Sequence, residues 1–173
     1  MIEELNQISK EQKYIKIFAW ILIAGSVFVL LKALLALNGY AGMINMQQIT
    51  KNFDPPIQMN FTLYFVLSGI ELLLNILIFI SAVFVLKYSD LWRRILIYAL
   101  IFAILYLLIS PILSYNNFMM RDTLMIKGME KEMLKSAKSS LLIWSYFWSV
   151  VISIFFFVVI KKFSNKKTIE LFE

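Results

Sequence analysis

The sequence predicts an all-α fold, a four-transmembrane-helix bundle, and three observations carry that prediction. Hydrophobic residues make up 61% of the chain and charged residues 16%, against roughly 45–50% and 25% in soluble globular proteins. The apolar residues are gathered into four runs, each reaching the ~20 residues needed to cross a ~30 Å hydrocarbon core. Basic residues collect at the ends of those runs, where a chain passes through head groups.

The first run, Ile17 to Leu37, follows a leader carrying Glu3, Glu4 and Glu11, and no Ala-x-Ala site precedes a polar mature start. These features fit a retained spanning helix better than a cleaved signal peptide. The other runs are Phe61 to Leu86, Ile95 to Leu113 and Leu141 to Ile160. Each must be helical, because an open strand or irregular chain would leave backbone N–H and C=O groups unpaired in hydrocarbon. An even number of crossings returns the C-terminus to the starting side, and residues 1–173 read as one integral membrane domain.

The connections differ in kind. Lys87 to Arg94 make a tight hairpin in which Lys87, Arg93 and Arg94 surround Asp90 and Trp92, so the second and third spans must be antiparallel neighbours. This turn resembles the basic, Trp-containing turns of small bacterial four-span proteins, a likeness that covers the turn alone and names no family. Asn38 to Asn60 is a polar connection containing Asp54-Pro55-Pro56, which stops any helix there. Ser114 to Ser140 is expected to be partly helical. From Thr123 to Ala137 it puts Ile126, Met129 and Met133 on one face, with Lys127, Glu130, Lys131 and Lys135 elsewhere, the spacing of an amphipathic helix leading into the fourth span.

Basic residues near helix ends are retained in the cytoplasm. The side holding both termini and the tight hairpin carries Lys10, Lys13, Lys16, Lys87, Arg93, Arg94, Lys161, Lys162, Lys166 and Lys167, ten in all. The opposite side carries Lys51, Arg121, Lys127, Lys131, Lys135 and Lys138, six in all. The bias favours cytoplasmic termini, a short cytoplasmic hairpin and two longer extracytoplasmic loops, in a bacterial plasma membrane. Arg93, Arg94, Lys161 and Lys162 are the expected contacts to lipid head groups. The net charge of +6 is then explained by a membrane surface rather than by nucleic acid.

Cys and His are both absent, which removes disulfides, thiolate nucleophiles, imidazole bases and the usual ligands of zinc or haem. No cofactor or metal site is expected, and no catalytic set. An intramembrane enzyme needs a constellation, whereas Asp54, Asp90 and Asp122 all fall outside the spans.

What remains is one polar cluster. Glu71 stands near the middle of the second span and shares a helix face with Tyr64, Ser68 and Asn75. A carboxylate at that depth is unfavourable unless it is protonated, paired or wet. Two readings stay open: a proton- or substrate-binding group, or a hydrogen-bonded cluster that fixes helix packing. Lys32, the one basic residue inside a span, either snorkels to the interface or pairs with Glu71. Small residues mark expected helix contacts: Ala99, Ala103 and Ser110 with Tyr106 on the third span, Ser145, Ser149 and Ser153 on the fourth, and Gly25 in line with Lys32 on the first. The reading favoured is a non-catalytic accessory, scaffolding or regulatory component whose partners are the lipid bilayer and a membrane protein or a second copy. The alternative is a subunit of an oligomeric transporter or channel using Glu71, Asn75 and Lys32.

Overall fold

The computed structural model describes residues 2–49, 61–125 and 131–172, with side chains described for 8–35, 65–113, 139–140 and 142–172. Tyr64, Asp54-Pro55-Pro56 and the side chains of the methionine-rich segment lie outside them. Four long helices follow one another: α1 (Ile2–Ile49), α2 (Phe61–Val85), α3 (Asp90–Met125) and α4 (Lys131–Phe163), with a short α5 (Lys166–Ile169) after them. No strand occurs among the described residues. Each long helix contains a stretch apolar enough to span a membrane: Ile8–Leu35, Phe65–Val85, Asp90–Leu113 and Leu142–Phe163, with mean hydropathy between 2.2 and 2.6. The protein is a polytopic membrane protein of four crossings.

Two expected loops are shorter than the polar composition suggested. α1 does not end near Leu37 but runs through Asn38 and Gly39 to Ile49. A single helical glycine costs only about 1 kcal/mol relative to Ala, and the helix-stopping prolines come later in the chain. At ~1.5 Å per residue its 48 residues measure about 72 Å, more than twice the ~30 Å hydrocarbon core. α3 likewise continues past Pro111 to Met125, so Ser114 to Asp122 are helical rather than loop. Of the expected amphipathic segment, Thr123 to Met125 belong to α3 and Lys131 to Ala137 are continuous with α4, and residues 126–130 lie outside the described residues.

Successive helices pack in order, α1 on α2, α2 on α3 and α3 on α4. The buried cluster lies toward the end that carries the termini. Ile15, Ala19 and Leu22 of α1 meet Ile78, Ala82 and Val85 of α2, Leu96, Ala99, Leu100 and Ala103 of α3, and Val159 and Phe163 of α4. The alanines let the helix backbones approach, which is how helices associate where lipid supplies no hydrophobic drive between them. Ala99 and Ala103 therefore sit at the contact their spacing implied. Gly25 does not: a Cβ added there would meet nothing within 4 Å. The fourth span is the least covered, 11% buried against 28% for the third.

Candidate functional site

The polar groups divide between two levels of the bundle. At the far end from the termini, Lys32 on α1 and Glu71 on α2 approach to 3.7 Å between Nζ and Oε1. Antiparallel packing of α1 on α2 brings these levels together, since each group lies in the half of its helix nearest the α1–α2 connection. The separation makes an ion pair without the 2.7–2.9 Å contact of a charge-assisted hydrogen bond. The protein leaves 67% of the Lys32 side chain and 29% of Glu71 uncovered.

Asn75 does not reach the Glu71 carboxylate, as its position one turn away on the same face suggested. Its amide Nδ2 instead donates to the Glu71 backbone carbonyl at 2.8 Å. The side chain thus back-bonds within its own helix, an arrangement open to any short polar residue four positions on. Ser68 is half-buried on α2, and the Tyr64 side chain lies outside the described residues. Tyr106 belongs to this level as well: its hydroxyl donates to the Leu67 carbonyl at 3.1 Å, joining α3 to α2. Its place on the Ala99 and Ala103 stripe was the only sequence signal for that role.

The second centre closes the end that carries the termini. Tyr88, with φ of 56°, turns the chain out of α2, and its N–H donates to the Val85 carbonyl at 2.9 Å. Ser89 then starts α3 by accepting from the Arg93 N–H at 3.1 Å. Asp90 occupies the first turn of α3, where the helix dipole favours a carboxylate. It is held by both arginines, with Arg93 Nε donating to Oδ1 at 2.7 Å and Arg94 Nε to Oδ2 at 2.8 Å.

Arg93 was expected at the head groups, and the structure gives it a different place. The residue is only 4% exposed, and its Nη1 donates to the carbonyl of Phe163 at 2.8 Å. That carbonyl ends α4 and has no partner within its own helix. A guanidinium can bridge carboxylate and carbonyl at once because its donors point in several fixed directions. One side chain therefore ties the start of α3 to the finish of α4. The chain after α4 folds back over it: Thr168 is buried, and the Phe172 ring lies 5.7 Å from the guanidinium carbon, 5.7 Å from the Tyr88 ring and 6.4 Å from that of Phe163.

Lys162 is also drawn inward. Its Nζ lies 2.8 and 2.6 Å from the two oxygens of Glu11 and 4.8 Å from the centre of the Tyr14 ring. This pair and the Phe18–Phe155 ring contact at 6.2 Å join the first helix to the fourth. Of the four expected head-group residues only Arg94 and Lys161 are exposed, and Arg94 is engaged by Asp90. Trp20, Trp144 and Trp148 are exposed on the outer surface, while Trp92 stacks on Phe84 at 4.7 Å.

Among the described residues no group of His, Cys, Asp or Glu is arranged to hold a metal ion. Comparison with protein-family models, with curated proteins and with solved structures gives no match to this chain.

Proposed function

We propose that the chain is a non-catalytic accessory component of a membrane-protein assembly, one that stabilises, anchors or regulates a partner through its helix faces. The observation that supports this best is the Lys32–Glu71 pair, two ionisable groups within spans whose side chains the protein leaves 67% and 29% uncovered. In hydrocarbon, the remaining donors of the ammonium and lone pairs of the carboxylate are costly to leave unmet. A neighbouring membrane helix bringing hydrogen-bonding side chains would cover them. A chain without Cys or His offers neither thiolate nor imidazole for catalysis. We place the protein in a bacterial plasma membrane with both termini cytoplasmic, on the ten-to-six basic bias.

A photo-crosslinking side chain at Leu35, exposed one turn from Lys32, tests the docking face in native membranes. The expected outcome is one different membrane protein captured in stoichiometric yield, and lost in the Lys32→Met, Glu71→Gln double variant. The second reading, a subunit of an oligomeric transporter or channel, draws on the Glu71 carboxylate being held by Lys32 only at 3.7 Å and left 29% uncovered, so that a proton or cation would reach it. Cross-linking to a second copy, with solute flux in vesicles abolished by Glu71→Gln, would select it. Orientation is tested by single cysteines: one at Ser89 should resist an impermeant thiol reagent in intact cells while one at Asn52 is labelled. The reverse pattern overturns the cytoplasmic termini.

A further inference from the structure

With Arg93, Arg94 and Lys162 each paired to a carboxylate of the protein, the cations left free at the termini end include a pair on α1. A shallow groove on the outward face of this helix is lined by Ser9, Gln12, Lys13, Lys16 and Trp20, with Ile17 beside them. Ile15, Ala19 and Leu22 on the opposite face are buried against the bundle. Lys13 and Lys16 are exposed and enter no ion pair among the described residues. Three positions apart on one helix, their side chains emerge ~5–6 Å from each other, a spacing that lets two ammonium groups straddle one phosphate.

Depth makes the groove specific to a lipid. The apolar run begins at Ile17, so both lysines stand at head-group level, and Trp20, 62% exposed, lies one turn deeper, where an indole ring sits against the glycerol region. Farther along the same face, exposed Ala24 separates Trp20 from Phe28, and its small side chain leaves an acyl chain unobstructed there. We propose that this face of α1 binds one anionic glycerophospholipid, its phosphate held between Lys13 and Lys16 and its upper chain packed beside Trp20. A zwitterionic head group brings its own ammonium against the lysines and is disfavoured there.

The test uses the full chain in a non-ionic detergent, with bound lipids counted by native mass spectrometry during titration with phosphatidylglycerol or phosphatidylcholine. One phosphatidylglycerol should bind with an affinity roughly tenfold above that for phosphatidylcholine. K13Q/K16Q should remove this preference, and K161Q/K167Q, which deletes the same charge at exposed positions of the same end, should keep it. Equal binding of the two lipids by the unaltered chain, or equal loss of preference in both double variants, would overturn the site in favour of diffuse attraction. Displacement of the lipid by inorganic phosphate at matched concentration would overturn the lipid itself as occupant.

Discussion

At the end of the bundle that carries the termini, every charged group described between helices has a partner within hydrogen-bonding distance: Arg93 on Asp90 and the Phe163 carbonyl, Lys162 on Glu11. At the far end the one described inter-helix ion pair, Lys32 with Glu71, is 3.7 Å long, its lysine mostly uncovered and its glutamate half-buried. The same chain has thus used charge in two ways. Near the water interface, Arg93 meets the carbonyl that ends α4, which would otherwise be left without a partner, and Lys162 with Glu11 joins the fourth helix to the first. Within the spans, a loose pair is held at the surface of the bundle without a short hydrogen bond between its members.

The largest effect is expected at Arg93. Arg93→Ala removes the donor to the Phe163 carbonyl and leaves Asp90 with Arg94 alone, and truncating one member of a buried ionic network costs about 3–5 kcal/mol. Unfolding in detergent should show this loss, with Arg93→Lys retaining part of the stability because a single ammonium cannot reproduce both directions of the fork. Arg94→Ala, at an exposed position, should lose only about 0–1 kcal/mol. Equal effects of the two alanines would remove the distinction between the stapled end and its surface.

The next effect should come from the C-terminal return. Phe172 is 8% exposed and closes over Arg93, Tyr88 and Phe163. Phe172→Ala should cost about 2–4 kcal/mol, somewhat below a central core phenylalanine because the ring lies at the margin of the buried cluster and stays partly exposed. Fast amide exchange in α5 of the unaltered protein would show that this closure contributes little.

At the far end the effects should be smaller in the isolated chain. A double-mutant cycle on Lys32→Met and Glu71→Gln in detergent should give a coupling of about 0.5–1.5 kcal/mol, the range of interhelical polar contacts in an apolar surround, limited here by the lack of a short hydrogen bond. A coupling several times larger would mean that the pair closes to a hydrogen-bonded contact and is a structural staple like those at the other end.

The four spans were legible because hydrocarbon admits so few backbone solutions that length and hydropathy nearly determine the element. The meeting of Lys32 and Glu71 was legible as one of two readings, because burial physics restricts a lone acid and a lone base in neighbouring spans to few alternatives. Helix ends were not: polar composition marks where a chain leaves lipid, whereas the helix stops only when the backbone is interrupted, which is why α1 continues through Gly39 to Ile49. The role of Arg93 was hidden for a related reason. Positive charge near a span end predicts head-group contact, and nothing local in the sequence reveals that α4 ends beside this guanidinium or that Phe172 folds back over it. Glu11 and Lys162 are separated by most of the chain, and only the closure of first helix on last brings them together.

The smallest expected change in stability, and the one that best tests the proposed partner, is at Gly25. Spacing placed it in line with Lys32 as a contact residue, yet an added Cβ meets nothing within 4 Å. In the isolated protein Gly25→Ala should therefore be neutral or stabilising by up to about 1 kcal/mol, since the helix gains a better former and no neighbour is displaced. Gly25→Leu should be tolerated equally in detergent. If a second membrane helix covers the Lys32–Glu71 face, however, Gly25 lies two turns along the same line and would permit the close backbone approach on which such packing depends. Gly25→Leu should then reduce cross-linking from Leu35 in native membranes while leaving detergent stability unchanged. A loss of detergent stability would show that the position already packs inside this chain, and an unchanged cross-link would place the partner elsewhere on the helix.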